Sequence, residues 1–370
     1  MKVVVVGAGI VGSATAWRLA ARGCEVHLVE QFAHGHTRGS SHGNARITRT
    51  TYKHPAYVAL ASTAHAIDWP ELAAESGRTL LHRGGDAVVW GPEGPRLAAY
   101  ADAISDPAAV VQLPVAEARQ RFPGLRFPDA ERVLWDRTAA VVAAADTMNA
   151  LREVGGARGV VLHEHTRVTG YDAGEDGVIV HTDGGDLTGD MLVLAQGPWA
   201  VAQVGLRATP ARQHVGYWPL KGARAGAFPC WIHLDTDEAH YGLPGIGEEV
   251  LKAALHYTAA DDQGDDPDVT VSDADPVAIA AVEAHLREWF DGLGPLVHSE
   301  TCFYTNTPDE DFVLGRLAPR VVIGGGLSGH GFKFGPLLGR ILADLVMDGQ
   351  CRIPAFADHR ERFSPGSATQ

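Results

Sequence analysis

Residues 1–30 read MKVVVVGAGIVGSATAWRLAARGCEVHLVE, and this stretch decides the fold. Val3 to Val6 form an unbroken β-branched run, as in a central parallel strand buried on both faces. Gly7, Gly9 and Gly12 follow as G-x-G-x-x-G. Ser13 to Arg22 then reads as a helix with Ala14, Trp17 and Leu19 among its apolar positions, and Gly23 stops it. Glu25 to Glu30 reads as a second strand ending in an acid. Strand, glycine turn, helix, strand and acid together make a dinucleotide site. Gly7 permits the tight turn, Gly9 lets the backbone approach a pyrophosphate at the helix N-terminus, and Gly12 lets helix and strand pack closely. Glu30 is placed to accept hydrogen bonds from the adenosine ribose. A carboxylate at position 30 argues against a 2′-phosphate, so NADP is disfavoured while FAD and NAD both stay open. Lys2, the apolar run and Ser13-Ala14-Thr15-Ala16 also resemble a signal peptide, but the glycine spacing explains the segment better.

Further along, His54 to Ala74 reads as a helix interrupted by Pro70, and Ala140 to Val154 as an alanine-rich helix. Val178–His181 and Met191–Ala195 flank Asp183-Gly184-Gly185 and are expected to form an antiparallel hairpin. The second of these ends in Gln196-Gly197, where a small residue again admits a ligand. Ala259 to Asp275 is acidic and reads as a solvated loop, Pro276 to Phe290 as a helix, and Ser364 to Gln370 as a disordered tail. Near the C-terminus, Val321–Ile323 runs into Gly324-Gly325-Gly326-Leu327-Ser328-Gly329-His330-Gly331, followed by a helix with Leu337, Leu338, Ile341, Leu342 and Leu345 on one face. A nicotinamide dehydrogenase has no general need for this second glycine turn. A long cofactor with a bulky redox ring does, which favours FAD.

Composition narrows the class. The 370 residues carry a formal charge of −14, which argues against nucleic-acid and anionic-membrane partners. No apolar run reaches the length of a membrane-spanning helix. The four cysteines, Cys24, Cys230, Cys302 and Cys351, are scattered without C-x-x-C spacing, so neither a disulfide framework nor a zinc site is expected, and a reducing cytoplasm is. His34, His36, His42, His163 and His165 lack metal-ligand spacing, and no metal is expected. Only five of the 31 basic residues are lysine, so Lys2, Lys53, Lys221, Lys252 and Lys333 each invite a separate question.

Four stretches carry candidate chemistry: Gly39 to Arg49, Tyr241 to Pro244 with Lys252 and His256, Ser299 to Thr305, and Gly329 to Phe334. Together with Arg121-Phe122-Pro123-Gly124-Leu125 they resemble the monomeric sarcosine oxidase family of flavin amine oxidases, across essentially the whole chain. The resemblance implies FAD bound covalently through Cys302, a substrate carboxylate held by Arg46 and Lys333, oxygen reactivity promoted by Lys252, and a pocket lined by His256, Tyr241 and Tyr304. His42, Arg49, Val168, Gly197, Gly329 and Gly331 are assigned to the cofactor with Gly7, Gly9, Gly12, Glu30 and Lys333. Ala45, where better-known members carry threonine, and the loop Asp235 to His240 depart from the family, and these departures bear on the substrate more than on the chemistry.

The residues support these roles on their own terms. Arg46 offers a planar fork suited to a carboxylate. Lys333, between Phe332 and Phe334, needs an anionic partner if buried, or else reaches solvent. Lys252 and His256 lie four apart and share a face if the segment is a strand. A fixed cation beside reduced flavin would stabilise superoxide as it forms. Alone, Cys302 reads better as a small core hydrophobe, and only the resemblance reverses that reading. The expected architecture is α/β: a discontinuous Rossmann-like FAD domain (1–82, 140–205 and 299–370) and a mainly antiparallel substrate domain (83–139 and 206–298). The expected activity is oxidation of a C–N bond in a small secondary amino acid by a monomer using molecular oxygen. A D-amino acid, a glycated amino acid or a biosynthetic intermediate is the alternative substrate.

Overall fold

The computed structural model describes residues 1–236, 238–257, 264–271 and 273–367. Six strands form the first sheet in the order Val313–Ala318, Val321–Gly325, Met191–Leu194, Lys2–Val6, Glu25–Val29 and Val161–His163. The pairs from Val321–Gly325 to Val161–His163 are parallel, and Val313–Ala318 joins antiparallel at the edge. Val3 to Val6 sit at the centre, at most 5% exposed, because helices cover one face and a small sheet the other. Helix Ile10–Ala21 packs against helix Gly335–Asp348. The approach is so close that a Cβ on Gly339 would lie 2.5 Å from the Ala14 backbone.

The second large sheet runs His298–Asn306, Thr209–Pro219, Val250–Tyr257, Ala239–Pro244, Cys230–Leu234, Ala87–Trp90, Arg132–Asp136, Val110–Pro114. It is antiparallel except between Cys230–Leu234 and Ala87–Trp90. Its outer face is roofed by helix Pro276–Trp289 over a cluster of Trp90, Trp218, Trp231 and Trp289. Strand His298–Asn306 pairs with Thr209–Pro219, so the expected boundary at residue 299 falls inside this sheet.

Several local expectations change. Ala140–Ala143 is a strand, not the start of a helix. It is fully paired between Ala45–Thr48 and Leu81–His82, and the helix begins at Ala144. Sheet pairing there overrides the helix preference of alanine. The hairpin partner of Val178–Thr182 is Leu187–Gly189, whereas Met191–Leu194 leaves to join the central parallel sheet. The helix expected over His54–Ala74 is Pro55–Thr63 and Trp69–Ser76 joined by a π-helical segment at Ala64–Asp68. Pro70 cannot donate to the carbonyl one turn back, and the widened turn accommodates the missing bond. The acidic stretch is anchored where described: Asp268 accepts from Trp199 Nε1 at 2.8 Å and Arg167 at 3.0 Å. Its residues 259–263 and 272 lie outside the described residues. Of the tail expected to be disordered, Pro365–Ser367 forms a 3-10 turn, and residues 368–370 lie outside the described residues. No helix among the described residues is long and apolar enough to cross a membrane.

Candidate flavin and substrate site

One cavity of about 830 Å3 runs from the first glycine turn, between the two sheets, to the second. At its first end the N-terminus of helix Ile10–Ala21 opens on it, with Gly7, Gly9 and Ile10 in its wall. Gly7 adopts φ +98°, and a Cβ there would meet the Ala195 carbonyl at 2.4 Å. Gly12 stands behind the wall and does not line it. A Cβ on Gly12 would fall 1.8 Å from the Gly7 carbonyl, so its role is helix–strand packing rather than ligand contact. Glu30 is 8% exposed and accepts from Ala8 N at 2.9 Å and Phe32 N at 3.0 Å, which fixes the acid at the end of its strand. Ser41, to which the sequence reading gave no role, accepts from Ile10 N at 3.0 Å and ties the 40–45 loop to the helix end. Val168 and Gly197 complete this end of the cavity.

The middle is a charged cluster on the inner face of the antiparallel sheet. Lys252 is 4% exposed, and its Nζ donates to Glu300 Oε1 at 2.9 Å. Tyr217, opposite Lys252 in register, donates to the same oxygen at 2.5 Å. Burial would raise the Glu300 carboxyl, but the Lys252 ammonium and the Tyr217 hydroxyl outweigh it and hold it down to about 2. Burial and the nearby Arg46 guanidinium lower Lys252, and Glu300 opposes them. Gly43 sits in the middle: a Cβ there would be 3.2 Å from Glu300 Oε1, 3.3 Å from Arg46 Nη1 and 3.4 Å from Lys252 Nζ. His42 is pushed down to about 4 by burial and then by Arg46, and neither ring nitrogen has a hydrogen-bond partner. Cys302 carries a free thiol facing the same cavity, raised by burial while Arg46 and Lys252 favour the thiolate.

At the far end Lys333 is 9% exposed. Its ammonium donates to Tyr52 Oη at 2.9 Å and the His330 carbonyl at 3.3 Å, and no carboxylate among the described residues pairs with it. Burial, and then the charge of the neighbouring Arg49, hold Lys333 well below the usual lysine range. Arg49 stacks over the Tyr52 ring at 4.4 Å, and its Nη1 is buried without a partner. Of the two arginines it is Arg49, not the expected Arg46, whose charge acts on Lys333. Arg46 instead donates to the carbonyls of Ala45, Ser40 and His42 at 2.9, 3.0 and 2.6 Å and braces the loop beside Lys252. Asp136 aims the Arg49–Tyr52 segment. Fully buried, it accepts from the backbone N–H of Thr50 at 2.7 Å and of Thr51 at 2.8 Å.

His256, Tyr241 and Tyr304 converge between the two cationic ends. His256 Nδ1 lies 3.2 Å from Tyr304 Oη, and burial followed by Lys333 pushes it down to about 4. Gly329 and Gly331 lie in the second glycine turn. A Cβ on Gly329, at φ +74°, would strike the Tyr304 ring at 2.3 Å, so only glycine lets this backbone close the wall. Glu300, Tyr217 and Asp136 were missed as site residues. Period-two reading outward from Cys302 places Glu300 and Tyr304 on its face, which was the available signal. Nothing local marks Tyr217 or Asp136.

The donor set fits FAD. A helix N-terminus and an acid stand at one end, unpartnered His42 and Arg49 nitrogens face the space, and glycines at both ends remove the side chains that would fill it. The family model described as FAD dependent oxidoreductase matches residues 2–345. A monomeric sarcosine oxidase from Streptomyces avermitilis is 33% identical over 369 residues, spanning 95% of each chain. A peroxisomal sarcosine oxidase from Homo sapiens is 34% identical, covering 93% of this chain and 91% of its own. Among solved structures, NikD, described as an unusual amino acid oxidase essential for nikkomycin biosynthesis, matches with a TM-score of 0.83. It covers 98% of this chain and 96% of its own at 23% identity, a likeness of fold alone. With its family model over nearly the whole length and relatives above 30% identity along it, the chain belongs to the FAD-dependent oxidoreductases.

Proposed function

We propose that the protein oxidises the C–N bond of a small secondary amino acid, N-methylated or cyclic, to an imine with release of hydrogen peroxide. The observation that carries this is the buried Lys333–Arg49 pair, two cations in one cavity with no carboxylate among the described residues paired to Lys333. A buried cation without an anion is costly, and a substrate carboxylate is the missing partner. FAD, held between the two glycine turns, would supply the redox chemistry by which a C–N bond is oxidised at the expense of oxygen.

The chain's residues bind, orient and tune. Arg49 and Lys333 hold the carboxylate, and Tyr52 fixes the ammonium of Lys333. The apolar and aromatic wall at Tyr241, Tyr304 and Leu243 excludes water and sets the C–H against the ring. His256, held neutral by its burial, offers an imidazole nitrogen that can accept a hydrogen bond from the substrate amine. Lys252 keeps a positive charge where oxygen is reduced, and Glu300 fixes that ammonium in place. Cys302 is our candidate for a thioether to the flavin. Its thiol faces the cavity, and although burial pushes it up, the Arg46 and Lys252 cations pull against that push.

A peroxide-release screen over N-methyl, cyclic, D- and glycated amino acids tests the reading. Peroxide from the first two classes is expected, and peroxide from none or only from the others would overturn it. Acid precipitation tests the link: colour should stay with the pellet and move to the supernatant in Cys302→Ala. A reducing cytoplasm accords with four unpaired cysteines.

A further inference from the structure

The outer face of the antiparallel sheet carries a second group of chemistry-bearing residues, separate from the cavity. Along strand Ala239–Pro244 side chains alternate, so Ala239 and Tyr241 line the cavity while His240 points the other way, under helix Pro276–Trp289. There one ligand atom each from Glu238, His240 and His285 lie within 4.8 Å of one another. The three come from the turn, the strand and the helix respectively.

A second observation is independent of that clustering. His240 is 2% exposed, and its Nδ1 has no hydrogen-bond partner. Its cross-strand neighbour His233 is 4% exposed, and neither of its ring nitrogens has one. Buried imidazoles are normally satisfied, and an ion held with Glu238 and His285 would satisfy His240. Trp289 stacks on His285, with ring centroids 5.1 Å apart, and supplies the apolar backing that metal sites favour.

We propose that Glu238, His240 and His285 form a binding site for a divalent first-row transition metal of the zinc type. Two imidazoles and one carboxylate suit zinc and its neighbours, and not magnesium, which takes oxygen donors. Ligand atoms about 2.0–2.1 Å from zinc stand roughly 3.4 Å apart in a tetrahedron. The trio must therefore close by little more than 1 Å, roughly, which the exposed Glu238 side chain can supply. Three protein ligands leave a fourth position for water. The ion would tether the turn to the helix. The Glu238 carbonyl accepts from Arg96 Nη1 at 2.8 Å, and Arg96 lines the flavin cavity, so the tether reaches the substrate wall through one side chain.

The test is calorimetric titration of the purified, chelator-treated flavoprotein with zinc chloride and separately with magnesium chloride. One saturable zinc per chain is expected and no magnesium. His285→Ala, changed at the half-exposed ligand, should weaken zinc by about 100-fold or more, given that even supporting residues around a metal are worth 10–100-fold. An unchanged flavin spectrum confirms that the variant is folded. Zinc should also raise the thermal midpoint of the parent and not of His285→Ala. Absence of saturable zinc binding overturns the site, and so does binding that survives His285→Ala within a factor of about ten.

Discussion

Lys252 and Lys333 occupy the same cavity and are almost equally buried, at 4% and 9% exposure, yet their surroundings are opposite in kind. Lys252 has a permanent counter-ion: Glu300 at 2.9 Å, itself fixed by Tyr217. Lys333 has a phenol, a carbonyl and a second cation. A buried cation with its own carboxylate is complete and can act as a fixed charge. One beside another cation is incomplete until an anion arrives. The first arrangement suits a catalytic charge that must be present in every turnover. The second suits a binding site whose energy is realised only with substrate, because association relieves the repulsion between Arg49 and Lys333.

The largest expected effect follows from the incomplete end. Lys333→Met should lower kcat/KM by on the order of 100- to 1000-fold, mostly through KM, as for removal of one partner of a buried charge pair. Oxygen reactivity of the reduced enzyme should stay near that of the parent. A stopped-flow trace in which the oxygen step fell instead would collapse the distinction between the two lysines. Next, Lys252→Met should slow reoxidation by on the order of 100-fold, while anaerobic reduction by substrate changes little. Equal slowing of both half-reactions would remove the assigned role. Glu300→Gln should be milder, on the order of tenfold near neutral pH. Burial and Arg46 already lower Lys252, and losing the carboxylate removes the main influence opposing them. The ammonium should therefore lose its proton at lower pH, and the oxygen step should decline from a lower pH than in the parent. An unshifted pH profile would mean that Glu300 does not govern that charge.

The smallest effect is read in the parent enzyme. Lys333 is held below the usual lysine range in the free protein, and a bound carboxylate raises it again. Only the protonated form attracts the carboxylate, so KM should be flat at low pH and rise as pH passes the free-enzyme value. Arg49 stays charged and keeps the rise finite. A KM that falls with pH would contradict the assignment of Lys333 as the carboxylate partner.

Much of this site was legible from local patterns, for identifiable reasons. The first thirty residues announce a dinucleotide because turn, helix start and acid all follow from chain geometry within one unit. Lys252 and His256 were placed on one face because a strand alternates with period two, and both line the cavity. Cys302 was marked by the family resemblance; strand position alone left it a core residue.

Sequence by itself therefore determined the parallel core, the dinucleotide turn, the second glycine turn and the pool of cations that line the cavity. Tertiary structure decided which cation faces which. Arg46 lies inside the strand Ala45–Thr48 and Arg49 just past its end, where strand alternation no longer fixes which way a side chain points. Asp136 decides it from another strand, by capturing the N–H groups of Thr50 and Thr51 and turning Arg49 toward Lys333. Long-range pairing likewise made Ala140–Ala143 a strand and brought Glu300 to Lys252. Those outcomes depend on partners far away in the chain, whose contribution to free energy exists only once the chain has folded.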